Sequence, residues 1–439
     1  MRKTLLELRR YPSVVAGLAI IGLLVGISMY TVIAIPYHDA IRLWRGGEQL
    51  WLENPRNARP VWMNLLPGVN LPRTLVVSSA SAPRHEEPVG GGVRRITMSL
   101  PFDFSSRGFP QELAIFFDAA FATAAPHVTV GWRRPDGSVI RLTELAVESK
   151  GIYRISSDQH LQQELGGRPE VMLFADPSAP QQPLGGRYEL VLDGFLFEEG
   201  SRLEARLIVY GQVHGLAGTD HQRRDLMIAL LWGTPIAMAF GLLAAVGTSV
   251  STLVIAAIGV WYGRWIDGLI QRVTEVNLIL PGLPILIMIG TLYSRSIWVI
   301  LGLVIILGVF GGIKGNRALF LQIKEAPYIE AARAYGAGNL RVVLRYMLPR
   351  VIPVLVPSFV TAIPSFVFLE ATLAVLGLGD PAVPTWGKVL EDAYRSGALF
   401  VGYYYWVLEP AALLMVSGLG FTMLGFALDR VVNPRLREV

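Results

Sequence analysis

The sequence predicts a polytopic α-helical membrane protein with six transmembrane helices, and a β-sandwich-like domain inserted between helices 1 and 2 on the extracytoplasmic side. Three observations predict it. The 439 residues are 52% hydrophobic and 17% charged, with mean hydropathy +0.45, whereas soluble domains are about 25% charged. The missing charge is concentrated in apolar runs near the roughly 20 residues a bilayer crossing needs. One long polar stretch, about 36–225, interrupts those runs and reads as short strands.

The spans follow in order. Arg2, Lys3, Arg9 and Arg10 precede an apolar run, Val14 to Ile35. That run is too long for a signal-peptide core and no small-residue cleavage site follows it closely, so it is a retained first span. Leu226 to Val260 holds no formal charge and exceeds one crossing. Pro235 and Gly247-Thr248-Ser249 offer breaks. The expectation is an interfacial helix at Leu226–Gly233, then a span at Thr234–Tyr262. Asn277–Leu292, punctuated by Pro281 and Pro284, is a third span and Ile297–Ile313 a fourth. Val351–Leu376, with Pro353, Pro357 and Pro364, is a fifth, and Tyr404–Leu428 a sixth. Prolines inside spans are tolerated where neighbouring helices satisfy the freed carbonyls. The expected division is 1–35, 36–217 and 218–439, the last with a cytoplasmic loop at about 314–350.

Charge orients the spans. With both termini cytoplasmic, the inner segments hold the N-terminal cluster plus Arg264, Arg272, Lys314, Arg317, Lys324, Arg333, Arg341, Arg345, Arg350, Arg430, Arg435 and Arg437. The short outer loops hold Arg295, Lys388 and Arg395. That asymmetry satisfies the positive-inside rule and implies a multi-pass protein of the cell (cytoplasmic) membrane. The net charge of +5 therefore marks membrane orientation, not nucleic acid.

In the inserted segment Thr74–Ser78, Arg95–Leu100, Leu113–Phe117, His127–Trp132, Val139–Leu142, Val171–Phe174, Tyr188–Leu192 and Arg202–Tyr210 are rich in β-branched and aromatic residues. Arg134-Pro135-Asp136-Gly137 is a hairpin turn. Arg202 to Val209 alternates polar and apolar, so one face is buried. A β-sandwich from roughly Leu71 to Tyr210 is the expected fold. Trp44 to Pro72 reads as loop.

Chemistry of an enzyme is missing. The chain has no Cys, so disulfides and thiolate sites are excluded. His38, His85, His127, His160, His214 and His221 show no ligand spacing. No Gly-x-x-x-x-Gly-Lys-Ser/Thr is present, so ATP is hydrolysed elsewhere if it is used.

The most informative stretch is Glu330-Ala331-Ala332-Arg333-Ala334-Tyr335-Gly336, followed by Leu340, Val343, Leu344 and Tyr346-Met347-Leu348-Pro349. Small residues give a helix a close-packing face, and Gly336 permits a sharp exit. This pattern resembles the cytoplasmic loop of permease subunits of binding-protein-dependent ABC importers, with Tyr346 where Ile is commonest. Further stretches resemble the dipeptide/oligopeptide/nickel branch. Gly218-Thr219-Asp220-His221-Gln222-Arg223-Arg224-Asp225 carries Arg223 in place of the usual Gly. Asp267, Arg272, Glu275 and Pro281 match the entry to its third span, with Glu275 where Asp is usual. Glu370-Ala371-Thr372-Leu373-Ala374-Val375-Leu376-Gly377-Leu378-Gly379 and Pro384-Thr385-Trp386-Gly387 are close to its later signature. The likeness covers about 218–435 and leaves the β-rich insert unaccounted for.

The resemblance implies a type I importer permease fold and a transport subunit. It implies coupling to an ATPase through Glu330, Ala331, Ala332, Arg333, Tyr335 and Gly336, with no cofactor in this chain, because ATP and Mg are bound by the partner ATPase. It implies a second permease subunit, one or two ATPase subunits, an extracytoplasmic substrate-binding protein and the lipid bilayer as partners, with short peptides, nickel or related small solutes as cargo. Glu370, an intramembrane carboxylate, reads as a translocation-path or gate residue or as a structural hydrogen-bonding group. Trp386 reads as a pore-proximal plug or an interface anchor. Glu409, beside Pro410, reads as interfacial. Asp220 and Asp225 read as external contacts or as a local salt-bridged loop. The alternatives in function are a non-importing transmembrane mechanotransmitter and an ATP-independent channel or secondary transporter.

Overall fold

The structure, a computed structural model, describes residues 12–432. Arg2, Lys3, Arg9, Arg10, Arg435 and Arg437 lie outside the described residues, as does the side chain of Arg430. The chain divides into a helical unit, Met1–Arg45 with Ile228–Val439, and a β unit, Gly46–Met227. The 218–227 stretch, expected to open the helical core, groups with the β unit.

The first span is α1, Pro12–Ala34. It is followed by α2, Tyr37–Arg45, an amphipathic helix that the sequence reading did not anticipate. Ala40 and Trp44 of α2 are buried while His38, Arg42 and Arg45 are exposed. Asp39 sits in its first turn and Arg42 and Arg45 in its last, the arrangement the helix dipole favours.

The β unit contains β1 (Leu75–Ser78), β2 (Arg84–Gly90), β3 (Val93–Phe104), β4 (Glu112–Ala120), β5 (His127–Arg133), β6 (Val139–Ala146) and β7 (Lys150–Tyr153), then helices α3 (Gln159–Leu165) and α4 (Pro169–Met172), then β8 (Ala175–Asp176), β9 (Ala179–Pro183), β10 (Gly186–Leu196) and β11 (Arg202–Tyr210). Two antiparallel sheets form, β1-β11-β4-β7 and β2-β3-β10-β5-β6. Their inner faces share one core, with Leu100, Val130 and Leu190 from one sheet and Ile115, Phe117 and Leu207 from the other. This is the expected sandwich. Leu203, Ala205 and Leu207 are buried and Arg202, Glu204 and Arg206 exposed, as the alternation requires. The Arg134–Gly137 turn joins β5 to β6, with Arg134 N donating to Ser138 O at 2.9 Å.

Val171–Phe174 was expected as a strand and is not one. Pro169 opens helix α4 there, and Leu173 and Phe174 are wholly buried in the core. A short apolar run serves either state, and the proline at the first helical position decides it. Strands β2, β7, β8 and β9 and helix α3 were not among the expected elements. Every residue of β2 is exposed, so it has no alternation to read. Helix α3 is capped by Asp158, which accepts from His160 N and Leu161 N at 2.9 and 3.1 Å.

The remaining helices are α5 (Leu226–Tyr262), α6 (Arg264–Ile279), α7 (Gly282–Leu292), α8 (Ile297–Val309), α9 (Ile313–Lys324), α10 (Pro327–Ala334), α11 (Leu348–Leu373), α12 (Trp386–Arg395) and α13 (Tyr405–Val432). Among the described residues five helical runs are long and apolar enough to cross a membrane, and six if the bent pair α6–α7 is one span.

Three expectations change. No break separates an interfacial helix at Leu226–Gly233 from its span, because α5 runs unbroken for 37 residues. Pro235 removes the N–H that Leu231 O would accept, and Thr31 Oγ1 of α1 lies 3.5 Å from that carbonyl. The third span is broken: α6 and α7 meet at 78° around Leu280-Pro281, so Asn277–Ile279 belongs to α6. The fourth and fifth spans extend further than expected, as Ile297–Lys324 and Asn339–Leu378. The latter passes through a π-helical turn at Val342–Met347.

Candidate functional site

Three groups of sequence-selected residues occupy three separate places. The first is α10. Pro327 occupies its first turn, where the missing N–H costs nothing. The helix ends where Gly336 N donates to Arg333 O at 2.9 Å and Ala337 N to Ala332 O at 3.0 Å. With Gly336 at φ +81°, this is a Schellman stop, and it explains the glycine.

One face of α10 is fixed. Ile329 is buried with Ala256, Val260, Phe320, Val342 and Met347, so α10 shares a core with the end of α5, with α9 and with the turn leading into α11. Lys324 Nζ donates to Val260 O at 2.7 Å, satisfying a last-turn carbonyl of α5. The Arg333 guanidinium sits 5.7 Å from the Trp261 ring centroid. Arg317 Nε donates to Asp267 Oδ1 at 2.9 Å, tying α9 to α6. The opposite face is open. Glu330, Ala331, Arg333 and Ala334 are exposed, as are Tyr335 (92%), Leu340 and Leu344. The expected residues thus split: Ala332 is buried and the others are presented to the surroundings.

The second group is a knot where α12 meets the end of α11. Glu370 is 7% exposed, with the Thr385 side chain beside its carboxyl. Thr385 also caps α12, accepting from Lys388 N at 3.0 Å. A Cβ on Gly387 would lie 3.2 Å from Glu370 Oε2 and 2.8 Å from Ala371 Cα, so glycine lets the start of α12 close onto the carboxylate. Glu370 therefore faces the positive end of a helix dipole. This places it in a structural contact within the chain. Nearby Glu391, 2% exposed, is paired with Lys388 at 3.0 Å and Arg395 at 2.7 Å.

Trp386 is neither an open plug nor an interface anchor in this chain. It is 1% exposed, and its Nε1 donates to Leu230 O of α5 at 2.9 Å. Its ring fills a notch at Gly233, where a Cβ would run into Trp386 Cδ1. Gly233 was not singled out from the sequence, and Thr385 and Gly387 entered only as part of the Pro384–Gly387 signature; the N-cap threonine before Trp386 was the available signal.

The third group is the 218–225 loop, a buried polar lock in the β unit. Thr219, Asp220, Arg223 and Arg224 are each under 5% exposed. Asp220 accepts from Gln222 N and Arg224 N at 2.9 Å and from Arg224 Nε at 2.5 Å. It is engaged inside the chain, which corrects the expectation of an external contact and supports the local salt-bridged loop. Asp225 caps α5, accepting from Met227 N at 2.9 Å. Thr219 Oγ1 donates to Pro55 O at 2.7 Å and accepts from Ala58 N at 2.9 Å.

Arg223 has φ +63°, so this position keeps the left-handed conformation that suits the usual glycine. The arginine is held by Asn54 O at 2.7 Å, Glu48 Oε1 at 3.1 Å and the Glu112 carboxylate, and its guanidinium lies 4.4 Å from the Tyr210 ring centroid. Hydrogen bonding to Arg56, with Arg223 adding to it, holds the Glu48 carboxyl below the usual carboxylate range.

Between α5, the α8–α9 junction and α11 lies a cleft of about 220 Å³ lined by Thr248, Ser249, Thr252, Asn316, Ser358 and Phe359, among others. Its polar groups are hydroxyls and an amide, with no formal charge.

An apolar multi-span unit, a half-exposed helix packed against two spans and an uncharged, mainly apolar cleft fit a membrane transport subunit. The chain belongs to the binding-protein-dependent transport system inner membrane components, whose family model matches residues 237–438. It is a multi-pass inner-membrane permease of the ABC transporter class. It is similar to a dipeptide transport system permease protein of Alkalihalophilus pseudofirmus, 30% identical over 225 residues, covering 50% of this chain and 72% of the relative. It is also similar to a glutathione transport system permease protein of Pectobacterium atrosepticum, 28% identical over 223 residues, 50% and 73% covered. An oligopeptide transport system permease protein of Bacillus subtilis is 26% identical over 223 residues, 50% and 72% covered. The β unit lies outside the family match.

Proposed function

We propose that this chain is one half of the translocation pathway of an ATP-driven importer of short peptides. A second permease completes the pathway, an external binding protein delivers cargo, and separate ATPase subunits hold the ATP and Mg. Both termini and α10 lie on the cytoplasmic side, and the β unit lies outside. The distribution of basic residues supports this orientation.

One observation carries the coupling role: α10 is open on one face and, through Ile329, shares a core with α5 and the approach to α11. A motor that grips Ala331 and Tyr335 pulls on two spans at once. Because the buried face is close-packed, the displacement passes on as a rigid shift, moving the pathway between two states that the nucleotide biases. The relatives' printed cargoes support a peptide substrate, and the uncharged cleft, mainly apolar with Ser249, Ser358 and Asn316 in its lining, is compatible with one.

The test is charge reversal at exposed Glu330. Glu330→Lys in the reconstituted complex should abolish ATP-coupled peptide uptake while membrane insertion stays intact. Unchanged uptake would count decisively against the coupling role.

A further inference from the structure

The β unit carries an exposed apolar surface apart from the residues described above. No residue between Pro60 and Pro72 is charged. A 3-10 turn at Val61–Leu65 and the residue after it display Trp62, Leu65 (85% exposed) and Leu66. Leu216 (67% exposed) joins them. Trp62 Nε1 donates to Leu216 O at 3.0 Å, and Val61 N donates to Gly215 O at 2.9 Å.

This surface is tied closely to the start of α5. Leu226, the first residue of α5, donates its N–H to Gly218 O at 3.1 Å, and Gly218 is two residues beyond Leu216. With consecutive Cα atoms about 3.8 Å apart, Leu216 lies no more than roughly 13 Å from the start of that apolar helix. Arg59 and Arg73, both exposed, bracket the uncharged stretch, and each forms a backbone bridge with Val213. Beside them a polar cleft of about 310 Å³ is lined by Asn64, Asn70, Arg73, Asp103, Ser105 and Ser106, with apolar neighbours.

We propose that this surface is a membrane foot. Trp62, Leu65, Leu66 and Leu216 enter the boundary between lipid headgroups and acyl chains, and Arg59 and Arg73 meet lipid phosphates. Tryptophan favours that boundary, and an apolar patch rimmed by cations matches the layered chemistry of a bilayer surface. The adjoining cleft offers a cation and a carboxylate to a zwitterionic headgroup. The foot sets the height of the β unit above the membrane.

The chain has no native cysteine, so Leu65→Cys or Leu216→Cys in the full-length protein carries a single label. Both positions are exposed, so neither change removes core packing. The labelled protein is reconstituted in phosphatidylethanolamine–phosphatidylglycerol vesicles and quenched by iodide or by lipids bearing nitroxides at graded depths. Val89→Cys, on exposed β2, is the reference. Labels at 65 and 216 should sit about 5–10 Å below the phosphate level and be reached by iodide several-fold less than the label at 89. Iodide access equal to that at 89 overturns the proposal. So does shielding that appears only after a second permease or a binding protein is added, which would make this a protein-docking surface. The readout needs no nucleotide or cargo, so it stands apart from the importer reading.

Discussion

At Arg223 two effects oppose each other. The left-handed backbone costs a non-glycine residue about 1–2 kcal/mol, while each hydrogen bond to a charged partner contributes about 1.5–3 kcal/mol. The side chain has Glu48 and Glu112 as charged partners and is 2% exposed, so the bonds win. Arg223→Gly should relieve the backbone yet lower the thermal midpoint of the β unit, with Arg223→Lys intermediate, because an ammonium cannot span both carboxylates. A midpoint raised by Arg223→Gly would contradict this balance. Residue types in this region were legible in the sequence, but their exposure was not. Asp220 beside two arginines fits a docking loop as well as a buried lock, and the choice depends on Pro55, Asn54 and Glu112, more than a hundred residues upstream. Trp386 has the same problem, since its notch is at Gly233 and its acceptor is Leu230.

Elements were legible where period and punctuation agreed. The alternation in β11 and the Pro-Asp-Gly turn after β5 identified both features. The strand ends moved because pairing partners, not local propensity, set them, as where β3 extends to Phe104 along β10. The uninterrupted α5 was misread because Pro235 looks like a break until Thr31 is placed beside Leu231. One loop has a pH dependence of its own. Glu198 accepts from the backbone N–H groups of Ala122, Thr123 and Ala124 at 2.6, 2.7 and 2.8 Å, and from the Thr123 hydroxyl. These bonds, the Thr123 hydroxyl foremost, lower its pKa from 4.5 to about 2. A depressed carboxyl pKa stabilises the fold above the unfolded value and loses that effect as pH falls through the folded value. The difference in amide-exchange protection of the 122–124 loop between the native chain and Glu198→Gln should be full above about pH 4.5 and shrink towards pH 2. A difference that grows as pH falls would refute the latch.

For the whole molecule, the membrane class and the inserted sandwich could be read because bilayer thickness imposes run length and burial imposes period, while the expected six spans correspond to five, or six if the bent α6–α7 pair is one. How α10 engages its neighbours could not, because small residues give no sign of which face packs. The structure resolves that: Ile329 and Ala332 face inward, and Tyr335 faces out. The account therefore rests on α10 as the lever that an ATPase grips. Tyr335→Cys introduces one thiol into a chain without cysteine. In the assembled complex carrying single-cysteine ATPase subunits, oxidation should cross-link position 335 to the ATPase, with a yield that changes between nucleotide-free and ATP-bound states. A thiol at 335 that never cross-links, and that reacts with membrane-impermeant reagent from the same side as the β unit, would contradict the account.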